Sequence, residues 1–207
     1  MTSEDPTDVD DLPVAGTAVL LHPAGRGVEA LLMRRPERGS FAGAWVFPGG
    51  KVEPGDRRDQ AEEWQDASRA AVRETAEEVG LVIADPVLLS CWEPPAEAPV
   101  RIRTWFFLAR AVDTVLRPSP DEVVETAWVS PAEALARHAT GEWTLYPPTW
   151  VTLHHLAAYE NADAALAAAG VARHFATRVI SSAEGTDFAW DGLRLRTGSL
   201  PWRLEED

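Results

Sequence analysis

The stretch Gly49-Gly50-Lys51-Val52-Glu53-Pro54-Gly55-Asp56, followed after a spacer by Arg73-Glu74-Thr75-Ala76-Glu77-Glu78-Val79-Gly80-Leu81, constrains this chain more than any other feature. A helical pattern runs from about Ala61 to Val79 and stops at Gly80, a residue suited to a C-terminal cap. At about 100° per residue, Trp64, Ser68, Ala71, Val72, Thr75 and Val79 fall within roughly 60° of Thr75 and form the stripe that faces a core. Glu74, Glu77 and Glu78 then share one flank beside that stripe. Like charges at this spacing destabilise an isolated helix by roughly a few tenths of a kcal/mol per pair, so something cationic should compensate. Hard divalent cations take oxygen ligands, and magnesium binds through a few carboxylates plus substrate phosphates. The bland reading of the same residues is a solvated acidic face.

The Phe47-Pro48-Gly49-Gly50 lead-in weighs against the bland reading, because the glycine pair permits close backbone approach and can offer a carbonyl ligand. Here the sequence resembles the Nudix hydrolase family, whose signature is Gly-x5-Glu-x7-Arg-Glu-U-x-Glu-Glu-x-Gly-U, with U a bulky apolar residue. Gly50, Arg73, Glu74, Glu77, Glu78, Gly80 and Leu81 match it residue by residue. Two positions and one spacer length depart from it. Asp56 stands where the first glutamate belongs, with Glu53 as a substitute for its supporting role, and Thr75 occupies a usually apolar place. The seven-residue spacer becomes the sixteen residues Arg57 to Val72. This insertion is expected to be a surface elaboration, since Arg57, Arg58, Asp59, Glu62, Glu63 and Asp66 are costly to bury unpaired.

The resemblance implies an α/β fold, the Nudix α/β/α sandwich around a mixed sheet. It also implies that water attacks one phosphorus of a nucleoside diphosphate linked to another group X, assisted by Mg²⁺ or Mn²⁺. Carried over, Glu74, Glu77, Glu78 and the Gly50 carbonyl are the metal ligands, Arg73 orients the carboxylates, and Asp56, Gly49 and Gly80 are supporting. A further carboxylate, as base or ligand, is expected from the loop Asp121-Glu122-Val123-Val124-Glu125, with Glu122 the choice within it; a solvated loop is the alternative. The elements Arg34, Gly43, Phe47 to Gly50, the long insertion and Leu145-Tyr146-Pro147-Pro148-Thr149 also resemble, more loosely, the peroxisomal-type coenzyme A diphosphatase branch, which implies coenzyme A or an acyl-CoA as substrate. That branch's bacterial signature differs at Gly39 and Arg35. Other readings are a nucleoside triphosphate, ADP-ribose or NADH pyrophosphatase, or a Nudix-fold module that senses a nucleotide without hydrolysing it.

Composition narrows the partners. Nineteen Lys and Arg against 33 Asp and Glu give a net charge of −14, a field that repels nucleic acid and anionic membrane. A phosphorylated ligand therefore needs metal ions or local arginines, for which Arg34, Arg35 and Arg38, or Arg101 and Arg103 on one strand face, are the candidates. Trp45, Trp105, Phe106 and Phe107 either stack on a base or fill the core. With one cysteine, no long apolar run and no signal-like start, a cytoplasmic protein is expected, its partner a small nucleotide-diphosphate molecule, with a homodimer left open.

Along the chain, residues 1–13 carry five acidic side chains and two prolines and read as a flexible tail. Residues 14–207 read as one domain, with a core to about 140 and an extension over 141–207. Strands are expected over Ala15 to Leu21, Val28 to Arg34 with a turn at Gly25 to Gly27, Trp45 to Phe47, Leu81 to Trp92, Val100 to Val112 and Val123 to Val129. Ser130-Pro131-Ala132-Glu133 opens a capped helix, and Pro147 to Gly170 reads as one broken or two short helices. A terminal hairpin is expected from His174 to Trp202.

Overall fold

The structure, a computed structural model, describes residues 12–22, 27–39, 41–183 and 185–206. Most of the expected acidic tail and the turn at Gly25 and Arg26 lie outside the described residues. Leu12, inside the span read as tail, is buried in the core, and the Pro13 carbonyl accepts a bond from Arg103 N at 2.9 Å, so the packed chain begins before Val14.

An apolar run of eight residues makes β1 (Val14–Leu21) the centre of the sheet, because both of its faces are covered. Ala18 and Leu20 point to one side, Val19 and Leu21 to the other. It pairs in parallel with β6 (Arg103–Arg110) over its whole length, from Val14 opposite Arg103 to Leu21 opposite Arg110. Around this pair stand β2 (Ala30–Arg34), β3 (Trp45–Val46), β4 (Gly49–Lys51), β5 (Val87–Glu93), β7 (Glu125–Val129) and β8 (Arg173–Ala176). The strand order is β3-β2-β1-β6-β5-β8, with β4 also on β1 and β7 on β2. The sheet is mixed, since β5 and β8 are also parallel and the other pairs antiparallel.

One face carries α1 (Glu63–Val79). Its start is held by a reciprocal bond pair between Glu62 and Gln65, and its end by Gly80 at φ 73°, a left-handed cap that only glycine adopts cheaply. Ala67, Ala70, Ala71, Thr75 and Val79 are its buried side. Gly16 of β1 lies directly beneath: a Cβ there would overlap the Ala67 carbonyl, so helix and strand backbones approach as closely as bare glycine allows.

The opposite face carries α2 (Pro131–Ala139), α3 (Pro147–Leu156) and α4 (Ala162–Ala168). Ser130 caps α2 through the Glu133 N–H, and the stretch from Pro147 to Gly170 resolves into two short helices. The core on this side is aromatic. Trp92 stacks on Phe175 at 3.8 Å, Trp45 on Trp143 at 3.9 Å, and Trp190 meets Trp92 edge-on at 5.5 Å.

The extension is more than a hairpin. After β8 joins the edge of the main sheet, β9 (Arg178–Ser182), β10 (Gly185–Trp190), β11 (Leu193–Arg196) and β12 (Arg203–Glu206) form a separate four-stranded antiparallel meander. Two sequence expectations shift for stereochemical reasons. Residues 81–86 are coil rather than strand, with Leu81 and Ile83 buried and Val82, Ala84 and Asp85 exposed, because Pro86 interrupts the run and β5 begins only at Val87. The insertion is not wholly superficial: Arg57, Arg58, Asp59 and Glu62 are exposed, but Asp66 is buried against Arg69, and Glu63 accepts bonds from Trp105 Nε1 at 2.7 Å and Arg103 Nη1 at 2.8 Å. Its second half lengthens α1, which is how acidic residues become buried with partners.

Candidate active site

The second half of α1 lies against β4, so its carboxylates meet the glycine pair. Gly49 N donates to Glu78 Oε2 at 2.8 Å, and Arg35 Nη1 donates to Glu78 Oε1 at 3.1 Å. A Cβ on Gly50 would run into the Glu74 carboxylate. Arg73 is the hub of the cluster. Its Nη1 donates to Glu74 Oε1 at 2.8 Å and to Glu77 Oε2 at 2.9 Å, while Nη2 donates to Asp56 Oδ2 and to the Lys51 carbonyl, both at 3.0 Å.

Asp56 ends a 3-10 turn, Pro54–Asp56, and is itself buried. Its shorter side chain still reaches Arg73, and its Oδ2 also accepts the Glu53 N–H at 2.9 Å. Glu53 contributes that backbone donor and does not take the place of Asp56 at the arginine. Burial alone would push the Asp56 carboxyl up, but the bonds from Arg73 and Glu53 and the charges of Arg73 and Arg69 outweigh it and hold it below its ordinary value.

The three glutamates differ in exposure, with side chains 2% exposed for Glu78, 16% for Glu74 and 56% for Glu77. Burial pushes the Glu78 carboxyl up to about 8, against the pull of Gly49 N–H and Arg35. Burial also raises Glu74, with Arg73 opposing. The charge of Glu122 adds to the rise at both groups, which brings its exposed loop into the field of the cluster. That loop is tied across the site by Arg38 Nη2, which donates to the Asp121 carbonyl at 3.1 Å.

The remaining arginines divide. Arg35 belongs to the site. Arg34 is turned to Glu37 and Glu125, at 3.5 and 3.6 Å. Arg103 is bound to Glu63 and Glu93, at 2.8 and 3.4 Å. Glu63 lies eleven residues before Glu74, about 16 Å along the helix at 1.5 Å per residue, so Arg103 sits at the far end of α1 from the carboxylates, with Arg101 two residues before it. The aromatics Trp45, Phe106 and Phe107 are core, and Trp105 packs at the α1 face through Glu63. One exposed aromatic pair has no signal in the local sequence: Phe41, in the left-handed region at φ 61°, meets Tyr146 edge-on at 4.9 Å.

The donor set suits a hard cation. Five carboxylates, Asp56, Glu74, Glu77, Glu78 and Glu122, face two guanidinium groups, Arg35 and Arg73, and two of them are driven toward neutrality by burial and mutual repulsion. Among the described residues no three carboxylates or imidazoles converge as a ready-made metal cage, because Arg73 holds Glu74 and Glu77 while Gly49 and Arg35 hold Glu78. A divalent ion would be received by oxygen donors that arginines now orient.

The fold is thus a mixed sheet between helical layers, with a carboxylate-rich helix pressed on a glycine-rich strand. Residues 12–148 match the NUDIX domain model, well over half of the chain, and the chain belongs to the Nudix family. Among solved structures it is similar to a Nudix hydrolase from Alicyclobacillus acidocaldarius, with TM-score 0.66 and 24% identity over 76% of this chain and 96% of that one. It is also similar to the Nudix domain of Shewanella oneidensis NrtR complexed with ADP ribose, with TM-score 0.54 and 17% identity over 73% and 90%. MutT from Aliivibrio salmonicida and Vibrio cholerae matches with TM-score 0.51 and 22% identity over 72% and 98%. Among curated proteins none matches by sequence. As a Nudix pyrophosphohydrolase, the protein cleaves the pyrophosphate bond of a nucleoside diphosphate derivative, and the family generally uses divalent cations. None of its described helices is long and apolar enough to cross a membrane.

Proposed function

We propose that the protein is a Mg²⁺- or Mn²⁺-dependent cytoplasmic diphosphatase whose substrate is coenzyme A or an acyl-CoA. The observation that carries the catalytic part is the Arg73 hub, which gathers Glu74, Glu77 and Asp56 beside a Glu78 fastened to the Gly49 N–H. In this reading Glu74, Glu77, Glu78 and the Gly50 carbonyl hold the metal. When bound, it lowers the pKa of a water and neutralises charge on the departing phosphate. Arg73 fixes three carboxylates, Glu74, Glu77 and Asp56, and bonds the Lys51 carbonyl, and Asp56 in turn fixes Arg73. Arg35 steadies Glu78 through Nη1 and places a guanidinium charge beside the site for a substrate phosphate. Glu122 supplies the further carboxylate, as base or ligand, from the loop that Arg38 ties down. Water oxygen adds to one phosphorus, the bridging oxygen leaves with the other phosphate, and coenzyme A yields 3′,5′-adenosine bisphosphate and 4′-phosphopantetheine.

The choice of coenzyme A is supported by the branch-like segments around residues 34–50 and 145–149. They meet in space: Phe41 packs on Tyr146, and Trp45 N donates to the Thr144 carbonyl at 2.9 Å. The test is a Mg²⁺-dependent hydrolysis panel of coenzyme A, acyl-CoAs, NADH, ADP-ribose, dinucleoside polyphosphates and oxidised dNTPs, with products identified by mass. Cleavage of coenzyme A at the diphosphate with the highest kcat/KM is expected. Efficient turnover of ADP-ribose or a dNTP with coenzyme A untouched overturns the substrate.

A further inference from the structure

On the face away from α1, a groove of about 470 Å³ runs between the β5–β8 edge and the helices α3 and α4. That volume lies within the range of small-molecule sites, roughly 300–1,000 Å³. Eleven of its fourteen lining residues follow residue 148, where the NUDIX match ends, so the extension builds it. Strand register fixes its distance from the carboxylates. Gly49 lies opposite Thr17, Thr17 opposite Phe106, Phe106 opposite Ser90, and Ser90 opposite Arg173. Four strand spacings of about 4.8 Å put Arg173 about 19 Å from Gly49 across the sheet.

The chemistry of the lining reverses that of the whole molecule. In a chain of net charge −14 the groove presents Arg173, His154 and His155 and neither Asp nor Glu. The Arg173 guanidinium lies 5.2 Å over the Phe175 ring, and among the described residues no carboxylate pairs with it. His155 is pushed down to about 4 by burial and by the charges of Arg173 and His154, so near neutral pH its imidazole is uncharged, with an N–H to donate. Ser90 accepts the Trp92 indole N–H at 2.9 Å, which leaves its own O–H to donate. Leu156, Tyr159 and Val171 supply an apolar wall, and Val171 is 90% exposed there.

We propose that this groove binds a small organic anion, one phosphate or carboxylate head on an apolar body, with Arg173, His155 and Ser90 at the head and Leu156, Tyr159 and Val171 along the body. The site is separate from the hydrolytic centre and does not depend on which diphosphate that centre cleaves. A nucleoside monophosphate and a medium-chain fatty acid share this chemistry.

The test titrates the full-length protein with AMP, octanoate and inorganic phosphate, following heat and the imidazole C–H signals of His154 and His155. At least one organic anion should bind saturably, move those signals, and bind more tightly than inorganic phosphate. Arg173→Ala should weaken it about tenfold, the loss of one charge-assisted bond. Val171→Asp, which sets a like charge in the wall, should weaken it similarly. Arg173 is exposed, so the melting temperature and basal diphosphate hydrolysis of Arg173→Ala should equal those of the unaltered protein. The proposal is overturned if neither organic anion binds, if binding leaves the imidazole signals unmoved, or if Arg173→Ala binds with unchanged affinity. Inorganic phosphate binding as tightly as both organic anions would overturn the apolar half.

Discussion

The two faces of the central sheet are packed by opposite means. Where α1 crosses β1 the residues are small: Gly16, Ala67, Ala70 and Ala71 bring backbone onto backbone, with larger side chains such as Leu20, Met33 and Phe107 filling the space beside them. On the other face Trp45, Trp92, Phe106, Trp143, Trp150, Phe175 and Trp190 interlock as large rings. Small residues let helix and strand backbones meet closely, so the Cα frame that carries Glu78 is set against β1 and β4 by main chain. Rings bury far more apolar surface and hold the extension in place, at no point touching the carboxylates. One face therefore fixes the geometry of the chemistry, and the other supplies much of the stability.

The largest expected effect tests the aromatic face. Trp190→Ala removes a ring that contacts Trp92 and Phe175 and bonds Thr177, and should cost about 4 kcal/mol of stability in denaturant melts. Turnover per folded molecule should stay within about twofold, because no ring of this face reaches the site; a collapse of kcat in the folded variant would break the division of labour. Next, Glu78→Gln keeps volume and helix propensity but removes a charge, and kcat should fall at least about a hundredfold, roughly 3 kcal/mol in the barrier. Its melting temperature should hold or rise, since a buried carboxylate among like charges is lost. A folded variant with near-normal turnover would remove Glu78 from the mechanism.

Smaller effects sharpen the comparison. Gly16→Ala forces α1 off the sheet and should cost about 2 kcal/mol, with kcat falling together with stability, unlike the tryptophan variant. Loss of stability alone would show that the helix can move without disturbing the site. Asp56→Asn should cost about 1.5 kcal/mol at pH 7. Because the folded pKa of Asp56 lies below the unfolded value of about 3.9, its contribution is present above that pH and fades as pH falls through the folded pKa. The gap in melting temperature between the two proteins should therefore be constant from about pH 5 to 7 and close in acid; a gap that widens in acid would reverse the sign.

The active-site helix was the most legible part of the sequence because its signals agree: apolar period, glycine stop, and acidic residues on one flank. A supporting role for Asp56 is only what the family resemblance implies, and the structure shows that the shorter aspartate reaches Arg73. Arg103 was illegible as a structural residue, since its partner Glu63 belongs to an insertion whose docking no local pattern announces. β4 hid in a glycine-rich stretch that reads as loop. The four-stranded meander reads in the sequence as one hairpin because its strands are four to six residues long and carry Arg194, Arg196, Arg203 and Glu205, which obscure alternation. Leu12 was lost among acidic neighbours, where one apolar residue makes no pattern.

The parallel pairing of β5 with β8 has a consequence for synthesis. When translation has passed Pro148, the glutamates, Arg73 and all strands of the main sheet except one have been synthesised, yet the outer edge of β5 has no neighbour. An unpaired edge bearing Trp92 invites pairing with other chains until residues 173–176 arrive to cover it. Ribosome-bound chains stalled before residue 173 should therefore be the most aggregation-prone form of this protein, although every carboxylate of its active site is already made.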